Sequence, residues 1–354
     1  TACNLCVKLA ADHGFGSLRG FVNGVLRNIA RNKDSIVFPD QEKDKRAYYS
    51  VMYSVPEELL EILERDYDYE TIDRILASGD SDRPTAIRVN TEKISVTAFS
   101  EKLRQNGITV ERGSMNDTSL LISGYDYIRQ VPGFFDGEFV VQDQSSCLAV
   151  KAAGINEGDL VVDVCAAPGG KTMYAAMLTG SEGHVISRDL IDKKTELIEE
   201  KIERLGLSNV TVQVHDAREF DEELTGKADV VIADLPCSGL GIMGRKNDIK
   251  YHVSMESVKE LAQLQREILD TMCRYVKPGG TLVYSTCTID SIENDENAVW
   301  FADTHDFSLC GIDDVVPEHG GERGFVTLHQ GIDECDGFFI SKFRADSNNQ
   351  IGQE

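Results

Sequence analysis

The alternation that runs from residue 160 to residue 286 constrains the fold most. Short β-rich runs at 160–165, 184–189, 210–215, 229–234 and 281–286 are separated by helical stretches at 173–178, 193–205 and 258–275. A strand, a helix and a second strand return the chain to the same sheet edge, through right-handed crossovers. The pattern predicts an α/β fold on a parallel sheet. Two later β-rich runs, 325–329 and 338–343, have little between them, so the sheet is expected to end in a hairpin.

The chain ahead of this alternation reads differently. Leu18, Phe21, Val22, Val25, Leu26 and Ile29 recur at helical spacing, and a second apolar-periodic run, Leu59, Leu60, Ile62, Leu63, follows Pro56. The string Asp80-Ser81-Asp82-Arg83-Pro84 breaks the helical pattern. From there to about residue 140, short strands surround a helix expected near 96–106, which makes a small α+β insert. The expected organisation is a helical domain over 1–80, the insert over 81–140, the α/β domain over 141–346 and a polar tail over 347–354. The chain opens at Thr1 and not Met, which leaves room for an upstream piece.

With 36 Lys and Arg against 60 Asp and Glu, the formal charge of the 354 residues is −24. Such a surface repels nucleic acid on average, but affinity for it follows local basic patches. Residues 1–50 hold eight Lys and Arg against five Asp and Glu, so a basic face at that end is permitted. No stretch approaches the roughly 20 apolar residues of a membrane span. Nine scattered cysteines without a framework suggest reduced thiols in a cytoplasmic protein. Cys3-x-x-Cys6 has no matching second pair; it reads as helix packing and no metal site is expected.

Three strings carry chemistry. The first, Asp163-Val164-Cys165-Ala166-Ala167-Pro168-Gly169-Gly170-Lys171-Thr172, lies between a strand and a helix, where small residues let a cofactor approach the backbone. A phosphate-binding loop would need Gly where Cys165 stands, and Pro168 removes an N–H from the cradle. Carboxylates then close successive strands: Asp189, placed to hold ribose hydroxyls, Asp216, placed to meet an adenine amine, and Asp234. The second string is Asp234-Leu235-Pro236-Cys237-Ser238-Gly239, and the third is Ser285-Thr286-Cys287. Alone, either cysteine is a small buried hydrophobe. Leaving adjacent strands beside a cofactor loop, they read as catalytic, and the strand pattern gives both equal access.

Together these strings resemble the RsmB/Nop/Sun family of RNA cytosine carbon-5 methyltransferases. The likeness runs from about residue 85 to 344 and takes in Arg88-Val89-Asn90, Val141-Gln142-Asp143-Gln144-Ser145-Ser146 and Asp336-Gly337-Phe338-Phe339. Upstream, Phe21-Val22-Asn23-Gly24-Val25-Leu26-Arg27-Asn28 resembles the end of the NusB-like helical domain of the RsmB branch, shortened here. Asn247, between Lys246 and Asp248, departs from the family's usual Pro-Asp pair. The resemblance implies a Rossmann-like class I methyltransferase sheet and S-adenosylmethionine as donor. It implies a cytidine of RNA as acceptor, in small-subunit ribosomal RNA before transfer RNA, and a monomer as the working form. Cys287 is then the attacking thiol, Cys237 assists release, and Asp234 bonds the cytosine edge. Cofactor contacts are expected from Cys165, Ala166, Ala167, Pro168, Gly169, Gly170 and Lys171, with Asp189, Asp216 and Asp234. Arg88, Asn90, Arg245, Lys246 and Lys250 are expected along the RNA backbone. A non-catalytic ribosome-assembly module of the same fold is the competing expectation, and the intact cysteine pair argues against it.

Overall fold

The computed structural model describes residues 2–80 and 83–347. Of the expected breaker and tail, Ser81, Asp82 and residues 348–354 lie outside the described residues. The chain forms two compact units, Thr1–Glu57 and Glu58–Glu354. In the first, α1 (Ala2–Asp12), α2 (Arg19–Asn32) and α3 (Lys45–Met52) follow one another. Neither α1 nor α2 buries a side chain, and Cys6, expected in helix packing, is exposed. The side chain of Asp44 caps α3 by accepting the Ala47 N–H.

The second unit takes up α4 (Glu57–Asp66) and α5 (Tyr69–Ala77), so the compact units divide at residue 57, ahead of the boundary at 80 that composition suggests. The i, i+3, i+4 spacing of Leu59, Leu60, Ile62 and Leu63 puts all four side chains on one buried face. Next come β1 (Thr85–Val89), α6 (Val96–Gln105), β2 (Thr109–Arg112), β3 (Ser119–Ser123) and β4 (Phe139–Val141). They make an antiparallel sheet of order β2-β3-β1-β4 around a core that includes Ile87, Val89, Phe99, Leu120 and Phe139. This is the expected α+β insert.

The large sheet is assembled from α7 (Gln144–Ala153), β5 (Leu160–Asp163), α8 (Gly170–Thr179), β6 (His184–Asp189), α9 (Asp192–Leu205), β7 (Val210–Val214) and β8 (Ala228–Asp234). It is completed by α10 (Met255–Met272), β9 (Val276–Thr286), α11 (Asp295–Thr304), β10 (Phe307–Leu309), β11 (Phe325–Leu328) and β12 (Phe338–Ala345). Its order is β10-β12-β9-β8-β5-β6-β7, with β11 also paired to β12. The strands from β7 to β9 run parallel, and β12 is antiparallel to β9. This is a Rossmann-like sheet. The chain moves outward from β5 in one direction through β6 and in the other through β8, so a crevice opens at the carboxyl ends of β5 and β8, where such sheets bind ligands. Two hydrophobic clusters, one around Val162, Tyr284 and Phe343 and one around Val161, Val283 and Ile340, line the alternate faces.

Helix α7 was not expected. Eight of its ten residues are buried, so it has no polar stripe and no periodicity to read, although Asp143 caps it and Gly154 ends it in a left-handed conformation. Strand β9 starts five residues ahead of the β-rich run, because a register shift opposite Ala228 and Val230 accommodates Pro278-Gly279-Gly280. Helix α11 and the three-residue β10 also escaped the sequence pattern. The closing hairpin is present as β11–β12, with β12 inserted between β9 and the edge. Among the described residues no helix is long and apolar enough to cross a membrane.

Candidate active site

The loop between β5 and α8 is held from both sides. Ala166 N donates to the Arg188 carbonyl at 2.8 Å, and Ala167 N donates to Asp189 Oδ2 at 3.1 Å. Gly169 sits at φ +95°, a region that disfavours every L side chain, and starts α8. Below the loop, the Thr172 hydroxyl donates to Asp163 Oδ2 at 2.7 Å, and Asp163 Oδ1 has no partner. Burial pushes that carboxyl up to about 7.

A cleft of ≈ 600 Å³ opens beside this loop. Its walls include Cys165, Ala167, Asp189, Asp216, Asp234, Lys246, Cys237 and Cys287. A smaller cleft of ≈ 200 Å³ on the other side takes Ala166, Pro168, Gly170 and Lys171 with Gln142 and Ser146, and it shares Cys165, Ala167 and Asp234 with the first. The expected cofactor loop is therefore divided between two clefts, and Gly169 lines neither. The larger is of the size that buries a small organic ligand. The carboxylates at the ends of β6 and β8, and the one after β7, converge there. All three are already engaged: Asp189 by the amides of Ala167 and Ile191, Asp216 by Arg218, whose guanidinium lies 2.6 Å from Oδ2, and Asp234 by Lys171 and Ser285.

The thiols meet at the floor of the larger cleft. Cys237 Sγ and Cys287 Sγ are 3.4 Å apart. Parallel pairing of β8 with β9 sets Asp234 beside Ser285, so the two segments leave the sheet together. Beyond the strands, the hydroxyls of Ser238 and Thr288, one residue past each cysteine, lie 2.7 Å apart. Gly241 N donates to the Cys287 carbonyl at 3.0 Å, and Gly337 N donates to the Gly241 carbonyl at 2.8 Å.

The two thiols are shifted in opposite directions. A hydrogen bond from Cys237 holds the Cys287 thiol below its ordinary value against the opposing effect of burial, with help from the charges of Lys171 and Lys246. Cys237 is pushed well up, first by that same hydrogen bond and then by burial, by the Cys287 charge and by Glu293. The thiol shifted downward, Cys287, is therefore the readier of the two to ionise. The strand pattern left the two unranked; their surroundings favour ionisation of Cys287 over Cys237. Asp234 completes the floor, accepting from Lys171 Nζ at 2.6 Å and from the Ser285 hydroxyl at 2.9 Å.

Three of the five residues expected along RNA are withdrawn. Arg88 is 1% exposed: its Nε donates to Gln142 Oε1 at 2.8 Å, and its guanidinium stacks 4.3 Å from the Tyr174 ring centre. Asn90 is equally buried and donates to the Gly137 carbonyl, and Lys250 is buried in the short turn after Asn247. Polarity alone made them look accessible. Arg245 is partly exposed but spans Asp336 and Asp143, and of the five only Lys246 lines the larger cleft, where Lys194 and Arg218 are exposed cations as well. Residues that sequence reasoning passed over are Ser285, Glu293 and the Gly241–Gly337 contact. Both glycines stood in or next to strings already singled out, but nothing local marked their approach.

That approach is testable. A Cβ on Gly241 would stand 2.0 Å from the Gly337 oxygen and 2.9 Å from the Cys287 oxygen. Gly241→Ala is expected to lose about 1–3 kcal/mol of stability by denaturant titration. Activity should drop about 10²-fold, because the peptide of Cys287 is displaced.

Comparison with known proteins gives the family. The family model for the 16S rRNA methyltransferase RsmB/F matches residues 151–344, and the RsmF/B-like ferredoxin-like domain matches residues 55–126. The probable ribosomal RNA small subunit methyltransferase B of Bacillus subtilis (strain 168) is 35% identical, over 97% of this chain and 77% of its own length. The ribosomal RNA small subunit methyltransferase B of Vibrio cholerae is 32% identical, over 95% of this chain and 74% of its own. Among solved structures, that of PH0851 superposes with a TM-score of 0.84 at 27% identity, covering 95% of this chain and 75% of that one. A Rossmann-like sheet, a family model spanning over half the residues, and relatives of 32–35% identity matched over nearly all of this chain place it in the RsmB/F family of S-adenosylmethionine-dependent 16S rRNA methyltransferases.

Proposed function

We propose that this protein methylates carbon 5 of a cytidine in small-subunit ribosomal RNA, through a transient bond between Cys287 and carbon 6 of the base. The observation that carries this reading is the Cys237–Cys287 contact of 3.4 Å on the floor of the cleft that Asp234 and the β5–α8 loop enclose. Carbon 5 of cytosine is a poor nucleophile. Addition of a thiolate to carbon 6 turns the ring into an enamine, so one difficult substitution becomes two easier steps. Cys287 holds the charge for that addition. Asp234, fixed by Lys171 and Ser285, is placed to bond the ring edge and favour its protonation. After methylation the carbon-5 proton must leave so that the carbon–sulfur bond breaks, and Cys237 assists that release.

S-adenosylmethionine, when bound, supplies an activated methyl group. The residues present suit it: a backbone loop without bulky side chains, Asp189 and Asp216 for the ribose and adenine, and a cleft that reaches the thiols. The target base must be extruded or single-stranded to reach Cys287. Lys246, exposed at the rim, is the cation we assign to the incoming strand. The helical first unit and the small antiparallel sheet are assigned to hold the rest of the RNA.

Titration calorimetry separates this reading from a nucleotide-triphosphatase. Binding is expected with S-adenosylmethionine and none with ATP and magnesium. Asp189→Ala should weaken donor binding about tenfold or more, the usual cost of losing a hydrogen bond to a charged group. Mapping of 5-methylcytidine in ribosomal RNA incubated with the protein tests the product; methyl groups found on another base or atom would overturn the proposal.

A further inference from the structure

Cys237 is gripped from both sides of its own peptide. Gln265 Nε2 donates to the Pro236 carbonyl just before it at 2.9 Å, and Ser238 N just after it donates to Glu293 Oε2 at 3.0 Å. The same Gln265 amide donates to Glu293 Oε2 at 2.9 Å, so one carboxylate oxygen ties the two grips together. Gln265 cannot turn over, because its Oε1 accepts from Asn297 Nδ2, and Asn297 is itself fixed by Arg266 Nε donating to its Oδ1. Glu293 is 0% exposed, and its second oxygen, Oε1, has no partner. A buried carboxylate with an idle oxygen is costly, and no cation bonds it. Packing alone does not account for a charged group at this place.

We propose that Glu293 is the positioning residue that decides which thiol attacks, by fixing the peptide of Cys237 and keeping the shared proton on that cysteine. This inference rests on the covalent reading above. A negative charge beneath Cys237 opposes a second negative charge on its sulfur, so ionisation goes to Cys287. The groups that face the pair divide accordingly. Lys171 from α8 and Lys246 from the turn after β8 favour the Cys287 thiolate, and Asp234 at the end of β8 opposes it. Glu293 acts on Cys237, Asp290 raises Glu293 in turn, and the Tyr284 hydroxyl donates to the Glu293 main-chain carbonyl, not to its carboxylate. Burial pushes the Glu293 carboxyl up to about 7. Its charge is therefore present above that pH and lost below it, and the preference for Cys287 should strengthen as pH rises through 7.

Glu293→Gln keeps an oxygen for Ser238 N and Gln265 Nε2, places its new N–H₂ where Oε1 had no partner, and removes only the charge. The test is alkylation of the RNA-free protein with iodoacetamide at pH 6, 7 and 8, with singly labelled molecules counted by peptide mass spectrometry. In the unaltered protein Cys287 should be labelled first, and the ratio of Cys287 to Cys237 label should rise about tenfold from pH 6 to 8, the effect of one pKa unit. In Glu293→Gln the ratio should fall about tenfold at pH 8 and lose its pH dependence. An unchanged ratio in a variant that melts like the parent would overturn the proposal. If the variant does not fold, the pH series on the unaltered protein decides, and a flat ratio there overturns it equally. Because no RNA is involved, failure of the covalent reading shows separately, as methyl transfer that survives Cys287→Ala.

Discussion

Cys287→Ala should lower methyl transfer by more than about 10⁴-fold, as loss of a catalytic nucleophile does in other covalent enzymes. It should leave S-adenosylmethionine binding within a factor of about two, since a change of that size is only a few tenths of a kcal/mol. The size of the effect follows from the chemistry: without the carbon–sulfur bond there is no enamine, and no other described thiol lies in the cleft apart from Cys237 and Cys165. Cys165 is no substitute, because burial and the charges of Asp163, Asp189 and Asp234 push its thiol far up. Cys237 loses the Cys287 contact in this variant, but burial and the Glu293 charge still push its thiol up and oppose its ionisation for attack. Its own removal should have a different signature. With Cys237→Ala the addition still occurs but release stalls, so protein should accumulate joined to RNA and survive denaturing electrophoresis. The two variants therefore separate attack from release. Radiolabelled methyl transfer and the gel-shifted adduct measure them, and turnover retained by Cys287→Ala would end the covalent account.

How much of this was legible depended on whether a residue's role was local. The strand-end carboxylates, the β5–α8 loop and both cysteines could be read because strand–loop–helix order dictates which residues reach the carboxyl edge of a parallel sheet. Helix α7 was invisible because burial on nearly every face removes the contrast on which periodicity depends. Arg88 and Asn90 were misread for a related reason. Polarity predicts exposure only on average, and Arg88 instead spends its guanidinium on Gln142 and Tyr174, orienting a side chain that lines the smaller cleft. Gly241 and Gly337 are far apart in sequence, and Glu293 lies in a string with no catalytic look. Their parts emerge only when β8, β9 and β12 are side by side. The opposite shifts of the two thiols are likewise a property of distance and surrounding charge, and no spacing rule encodes them.

Lys171 and Asp234 should shift the pH dependence of the reaction in opposite directions. Attack needs the Cys287 thiolate, so the rate rises with pH through the apparent pKa of that thiol and levels off above it. Lys171 lowers this pKa by its charge, and Asp234 raises it. Lys171→Met keeps the length of a side chain that is only 7% exposed but removes the cation. It also leaves Asp234 without its 2.6 Å partner, so its negative charge faces the thiol unscreened. Both changes push the thiol pKa upward. The acid limb of the profile should move to higher pH by about 1–2 units, each unit being tenfold in the thiolate fraction below the pKa. Methyl transfer should therefore fall about 10²-fold or more near pH 6.5 and recover much of the loss near pH 9. Asp234→Asn removes the opposing charge, so its acid limb should move to lower pH while its plateau drops about 10²-fold through loss of the bond to the base. Single-turnover rates from pH 6 to 9, at saturating donor and RNA, resolve limb from plateau. Limbs that move together, or do not move, would show that the charge of Lys171 is spent on holding the fold and not on the thiolate.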